Sequence, residues 1–137
     1  MGEKIRSVEY YYVIVDDKPG EGSRLLKALR THGVNLLASI GFPVGEGRAQ
    51  LDFFPEDGEL LKKAAASEGV ILVGPKKAFL IQGDDRIGAL VKHHEKLSDA
   101  GINVHAAHGM SDGRGGYGYI LWVKPEDYGR AAQALEI

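Results

Sequence analysis

Cysteine is absent from the 137 residues, so disulfides and thiol catalysis are both excluded. No apolar run approaches the roughly 18 residues that a bilayer span needs, and no membrane partner is expected. Charge of one sign is lacking as well: 17 Lys and Arg stand against 19 Asp and Glu, a formal charge of −2. With a pI near 6.2, the chain has no electrostatic footprint for nucleic acid or an anionic surface. The stretch Met1-Gly2-Glu3-Lys4-Ile5-Arg6 is too polar for a secretory signal, and Ser7 falls one place late for myristoylation of Gly2. A cytoplasmic protein is the expectation.

What is present is ordinary material for a folded core: 44% hydrophobic and 26% charged residues, in a length that fits one domain or two very small ones. The organising stretch is Asp16-Asp17-Lys18-Pro19-Gly20-Glu21-Gly22-Ser23, set between the β-prone Val8 to Val15 and the helically spaced Leu25, Leu26 and Leu29. It reads as strand, tight turn, helix, with the acidic pair capping the helix start and Pro19 in its first turn. A helix start beside a glycine turn offers free N–H groups to a small carboxylate. The same design returns at Asp84-Asp85-Arg86-Ile87-Gly88-Ala89-Leu90.

The recurrence extends along the chain. Gly33-Val34-Asn35-Leu36 reappears as Gly101-Ile102-Asn103-Val104, an offset of 68 (101 − 33), and Gly20 and Leu29 map to Gly88 and Leu97 at the same offset. Pro55-Glu56-Asp57 returns as Pro125-Glu126-Asp127, two residues later still. Each copy reads strand, helix, strand, strand, helix. In the first, strands are expected at 8–15, 34–40, 48–54 and 70–73, with helices from Pro19 to Thr31 and from Pro55 to Gly69. In the second, strands are expected at 78–82, 102–108 and 117–123, with helices at 87–100 and from Pro125. Gly74-Pro75-Lys76-Lys77 reads as a turn-like joint, giving modules 1–74 and 75–137. The second module lacks a clear fourth strand. That leaves the apolar segment Ala78 to Gln82 with one edge, expected to be covered by the first module or by another copy of the chain.

The βαββαβ order, with Asp17-Lys18-Pro19-Gly20 after strand one and a helix ending in Gly33-Val34-Asn35-Leu36, resembles the ACT domain. The second copy keeps the acid, the glycine and the Gly-Ile-Asn turn, and has Ile87 in place of proline. The resemblance covers nearly the whole chain. It implies an α+β fold of two ferredoxin-like modules with antiparallel sheets, free of any attached enzyme domain. It also implies a regulatory protein that binds a small ligand, usually an amino acid, at an interface between modules. Ligand contacts are then expected from Asp17, Lys18, Pro19, Gly20, Glu21, Gly22, Ser23, Asn35 and Leu36. In the second copy they are expected from Asp85, Arg86, Ile87, Gly88, Asn103 and Val104. Residue chemistry fits: N–H groups from Gly20 to Ser23 suit a carboxylate, and Asp17 or the Asn35 amide oxygen suits an ammonium. A homodimer is expected, with an enzyme or transporter as the regulated partner, and neither cofactor nor metal.

Other signals carry less. Gly113-Arg114-Gly115-Gly116-Tyr117-Gly118 matches a dinucleotide fingerprint in letters only, because it leads into a strand and opens no helix. His94 stands where Leu26 stands in the first copy, which predicts a buried or interface histidine. No nucleophile elbow or triad is visible. Two alternatives to a ligand-binding regulator stay open: a small ferredoxin-like enzyme with His105, His108 or Trp122 in its pocket, and a pure subunit-assembly module.

Overall fold

In the computed structural model, which describes residues 2–137, the chain folds into α+β structure. The elements run β1 (Lys4–Asp16), α1 (Glu21–Thr31), β2 (Leu36–Gly45), β3 (Arg48–Pro55), α2 (Gly58–Ser67) and β4 (Val73–Asp84). They continue as α3 (Val91–Asp99), β5 (Ala106–Ser111), β6 (Gly116–Trp122), a 3-10 turn at Pro125–Asp127 and α4 (Tyr128–Ala134). Two compact units result: Glu9–Lys76, and residues 2–8 together with Lys77–Ile137. Strands β1 and β4 each contribute one part to each unit.

Within Glu9–Lys76 the strand order is β2-β3-β1-β4, and β3 pairs antiparallel with both β1 and β2. This is the order of a ferredoxin-like sheet. The alternation along β1 sends Tyr11, Val13 and Val15 to the face that meets Leu25 and Leu29 of α1 and Leu61 and Ala64 of α2. Helix α1 stops where expected. Gly33 takes φ +70°, and the N–H groups of Gly33 and Val34 close onto the carbonyls of Arg30 and Leu29 at 3.1 and 2.9 Å. Helix α2 is capped by the Asp57 carboxylate, which accepts from the Glu59 N–H at 2.9 Å.

The other unit has the equivalent order, β1-β4-β6-β5, with Lys4–Val8 in the place of a fourth strand. Phe79, Ile81, Leu97, Ile102, Tyr119 and Leu121 form its core with Ala131 and Leu135 of the last helical segment. The end of α3 repeats that of α1 atom for atom. Gly101 takes φ +71°, and Gly101 and Ile102 donate to Ser98 and Leu97, both at 2.9 Å.

Three expectations change. Gly74-Pro75-Lys76-Lys77 is not a turn but the start of one long strand, β4, which begins at Val73 and not at Val70. Gly74 lies so close to the neighbouring strand that a Cβ there would sit 2.8 Å from the Tyr10 carbonyl oxygen. The edge of Ala78 to Gln82 is covered as expected, by the chain's own first strand, with Arg6 Nη2 donating to Gln82 Oε1 at 3.0 Å. The acidic pairs cap neither helix: α1 starts after Gly20 and α3 after Leu90, both without a side-chain cap. Finally, the buried histidine is His93 (1% exposed), aligned with buried Leu25, whereas Leu26 is 48% exposed. At period 3.6 the inward stripe of α1 is Leu25, Ala28 and Leu29, so Leu26 falls just outside it.

Candidate ligand-binding site

Each unit pins the loop after its first strand in the same way. The Asp17 N–H donates to the Gly47 carbonyl at 2.8 Å, and the Asp85 N–H donates to the Gly115 carbonyl at 2.8 Å. Both pairs obey the offset of 68. The turn between strands two and three therefore holds the strand-to-helix loop, and what differs is the space behind each loop.

In the second unit that space is a hollow of about 490 Å³. One side is the loop itself, with Asp85, Arg86, Gly88 and the turn Ala89 to Val91. The facing side is the edge strand, at Gly109, Met110 and Ser111, and the floor is β6 at Tyr117, Gly118 and Tyr119. Polar and apolar groups meet here: one carboxylate, one guanidinium and a hydroxyl against Met110, Leu90 and Val91. The Arg86 guanidinium makes no hydrogen bond or ion pair among the described residues. A mostly apolar hollow with a few converging polar groups is the general form of a small-ligand site.

The floor is shaped by close contacts. Gly109 faces Tyr119 across β5 and β6, and the Tyr119 hydroxyl is 2.8 Å from His94 Nε2. Tyr117 donates to the Glu3 carboxylate at 2.6 Å, and burial together with that carboxylate raises the phenol well above its ordinary range. Burial alone raises Tyr119. Asp112 Oδ1, in the turn before β6, accepts from the N–H groups of Arg114 and Gly116 at 2.6 and 3.0 Å, which lowers its carboxyl. The glycine-rich run 113–118 is thus an Asx turn opening a strand, as its sequence context indicates.

In the first unit Asp17, Lys18, Pro19 and Gly20 are exposed, and Gly20 has φ +96° with nothing within 4 Å of where a Cβ would lie. Gly20 and Ser23 belong to a groove of about 440 Å³ along α1 and the end of α2. Its Arg24 already has partners, Glu21 at 3.2 Å and Glu68 at 2.8 Å. Gly22 sits half-buried in the first turn of α1. Leu36 packs against the core and Asn35 is exposed, its carbonyl accepting from the Glu56 N–H at 2.9 Å.

The structure thus gathers Asp85, Arg86 and Gly88 around one hollow, leaves Ile87 fully exposed beside it, and puts Val104 against the core and Asn103 at the surface. His105, His108 and Trp122 are not among the residues that line the hollow. Residues on β5 and β6 complete it, and the repeat contained a signal for them: Gly41 and Leu51 map to Gly109 and Tyr119 at offset 68.

Compared with models of known protein families and with curated protein sequences, the chain finds no match. Its fold does have solved counterparts. A protein from Bacteroides thetaiotaomicron superposes with a TM-score of 0.81 at 15% identity, over 96% of this chain and 88% of that one. The regulatory subunit of aspartate kinase from Thermus thermophilus, in its ligand-free form, gives 0.68 at 17% identity, over 99% and 95%. That of Thermus flavus gives 0.61 at 18%, over 99% and 95%. The class defined by these likenesses is the ACT-like, ferredoxin-like fold. Two of these counterparts, the Thermus proteins, are regulatory subunits of aspartate kinase. Among the described residues no helix is long and apolar enough to cross a membrane.

Proposed function

We propose that the chain is a tandem ACT-like regulatory protein that binds a small metabolite, an amino acid, in the hollow around Asp85 to Val91. The observation that carries this reading is the Arg86 guanidinium, without a hydrogen-bond or ion-pair partner among the described residues, beside Asp85 in a mostly apolar hollow. A zwitterion needs both signs within a few ångströms: Arg86 and loop N–H groups serve its carboxylate, and Asp85 serves its ammonium. Met110, Leu90 and Tyr119 then face its side chain. The loop Asp17 to Ser23, with Asn35, is the corresponding place in the other unit.

The hollow is open to solvent, and Met110 (72% exposed), Val91 (55%) and Ile87 (106%) surround it. In this reading a second copy of the chain closes it, as a two-fold dimer. The bound state then acts on an enzyme or transporter, and the chain itself catalyses nothing. Likeness to regulatory subunits of aspartate kinase supports the regulatory role.

A thermal-shift screen against the twenty protein amino acids tests the reading. Ligand at a hundred times its dissociation constant adds about 2.7 kcal/mol of stability. Arg86→Ala is expected to abolish the response. Silence from all twenty at millimolar concentration would leave the assembly module as the better account.

A further inference from the structure

At three core positions the repeat changes in chemistry. At Val15, Leu25 and Ala49 the first unit has apolar residues, two of them fully in the core and the third packed against it. At offset 68 the second unit has Gly83, His93 and Tyr117. These three surround a single carboxylate, that of Glu3. Tyr117 donates to Glu3 Oε2 at 2.6 Å, His93 Nε2 donates to the same oxygen at 3.2 Å, and Lys92 Nζ lies 2.5 Å from Oε1. Gly83 makes the room: a Cβ there would sit 2.6 Å from Glu3 Cγ and 3.2 Å from the Tyr117 ring. His93 Nδ1 is buried with no partner among the described residues, so the ring is held in the core for the bond that its other nitrogen makes.

A core position converted to a polar one is costly unless the polar group is used. Here three elements, α3, β4 and β6, together seat one residue of the N-terminal segment. Tyr117 is also part of the hollow's floor, and its hydroxyl bonds to Glu3. We propose that Glu3 is a latch that joins the N-terminal segment to the ligand hollow, so that filling the hollow and docking residues 2–8 favour one another. The coupling rests on the ligand reading given above. It runs through the Tyr117 ring, whose face meets a ligand and whose hydroxyl holds the segment, and it acts equally in both directions. Glu3 is a positioning residue in this scheme; it lines no part of the hollow.

Amide exchange of the full chain tests it, with an equimolar mixture of the twenty protein amino acids at millimolar concentration as the probe. In the wild type the mixture is expected to slow exchange both at 109–111, in the hollow, and at 4–8, in the segment. Glu3→Ala is expected to exchange about tenfold faster at 4–8 without the mixture. With the mixture it is expected to be protected at 109–111 only. Glu3→Gln keeps an oxygen for the Tyr117 hydroxyl and is expected to restore part of the link. Protection at 109–111 without protection at 4–8 in the wild type overturns the latch and leaves the ligand reading standing. So does equal protection of 4–8 in Glu3→Ala. Protection at neither segment overturns both, and protection at 4–8 alone shows that the coupling does not start in the hollow. The wild-type measurement decides even if Glu3→Ala fails to fold.

Discussion

Tyr119 lies directly over Gly109: the two are partners across β5 and β6, and a methyl group at 109 would be 2.6 Å from Tyr119 Cδ1. Tyr119 is 8% exposed and held by His94, so its ring has little freedom to move aside. Gly109→Ala is therefore expected to cost about 1–3 kcal/mol, as overpacking does. At the equivalent Gly41→Ala the tight contact is Leu51 Cδ2, the far end of a flexible side chain, at 2.9 Å. It is expected to fall between neutral and about 1 kcal/mol, because alanine also restricts the unfolded chain. Urea denaturation of the two variants side by side checks the order, and equal costs would show that Tyr119 is free to shift.

The absence of side-chain caps on α1 and α3 sets a second expectation. Asp17→Ala removes no cap and is expected to change stability by less than about 0.5 kcal/mol. Asp57→Ala removes the bond to Glu59 N–H and is expected to cost about 1 kcal/mol. If Asp17→Ala weakens amino-acid binding while its melting temperature stays in place, the acid serves a ligand.

Glu3 gives stability a dependence on pH. Burial acts to raise its carboxyl, but hydrogen bonds from Lys92, Tyr117 and His93 outweigh burial and hold it at about 2, against an ordinary 4.5. The unfolded chain thus binds this proton more readily than the native one. The stabilisation is complete above about pH 4.5 and is lost as pH falls toward 2. After allowance for solvent at its partly open side, about 1–2 kcal/mol is involved. Acid unfolding followed in the wild type and in Glu3→Gln is expected to show a shallower slope between pH 4.5 and 2 in the variant, and parallel curves would remove Glu3 as the cause.

Asp52 carries the opposite sign. It is 5% exposed, accepts from Gln50 Nε2 at 2.8 Å, and burial raises its carboxyl above the ordinary 3.8. A raised carboxyl favours the native state at low pH, and that contribution is lost as pH rises through the native value. Asp52→Asn keeps an oxygen for Gln50 and does not ionise. It is expected to be more stable than the wild type at neutral pH, with the difference vanishing below about pH 4. Chemical denaturation at pH 7 and pH 3 measures both ends.

Much of this architecture is legible in the residues themselves. The offset of 68 and the glycines that end α1 and α3 depend on chemistry within a few residues, or on its repetition. Periodicity also gave most of the core, erring by one place at Leu26, because a stripe of three residues on a helix does not by itself say where the sheet lies. Acidic residues before a helix suit both a cap and a loop, so sequence alone does not fix the role of Asp17 or Asp85. The backbone turn at Gly20 decided between them.

The composition of the hollow and the seat of Glu3 were decided only by tertiary structure. Arg86 and Gly88 are visible in the motif, but Met110, Ser111 and Tyr117 join them through pairing of β5 with β6. Glu3 meets His93 and Tyr117 across sequence separations of 90 and 114 residues. No local pattern marks such a contact, since a lone glutamate near a chain start reads as surface and a histidine on a helix reads as core. What joins them is that the first strand takes the place of a fourth strand beside β4, so a carboxylate that the sequence places in solvent is brought to the one core position where its hydrogen-bond donors wait.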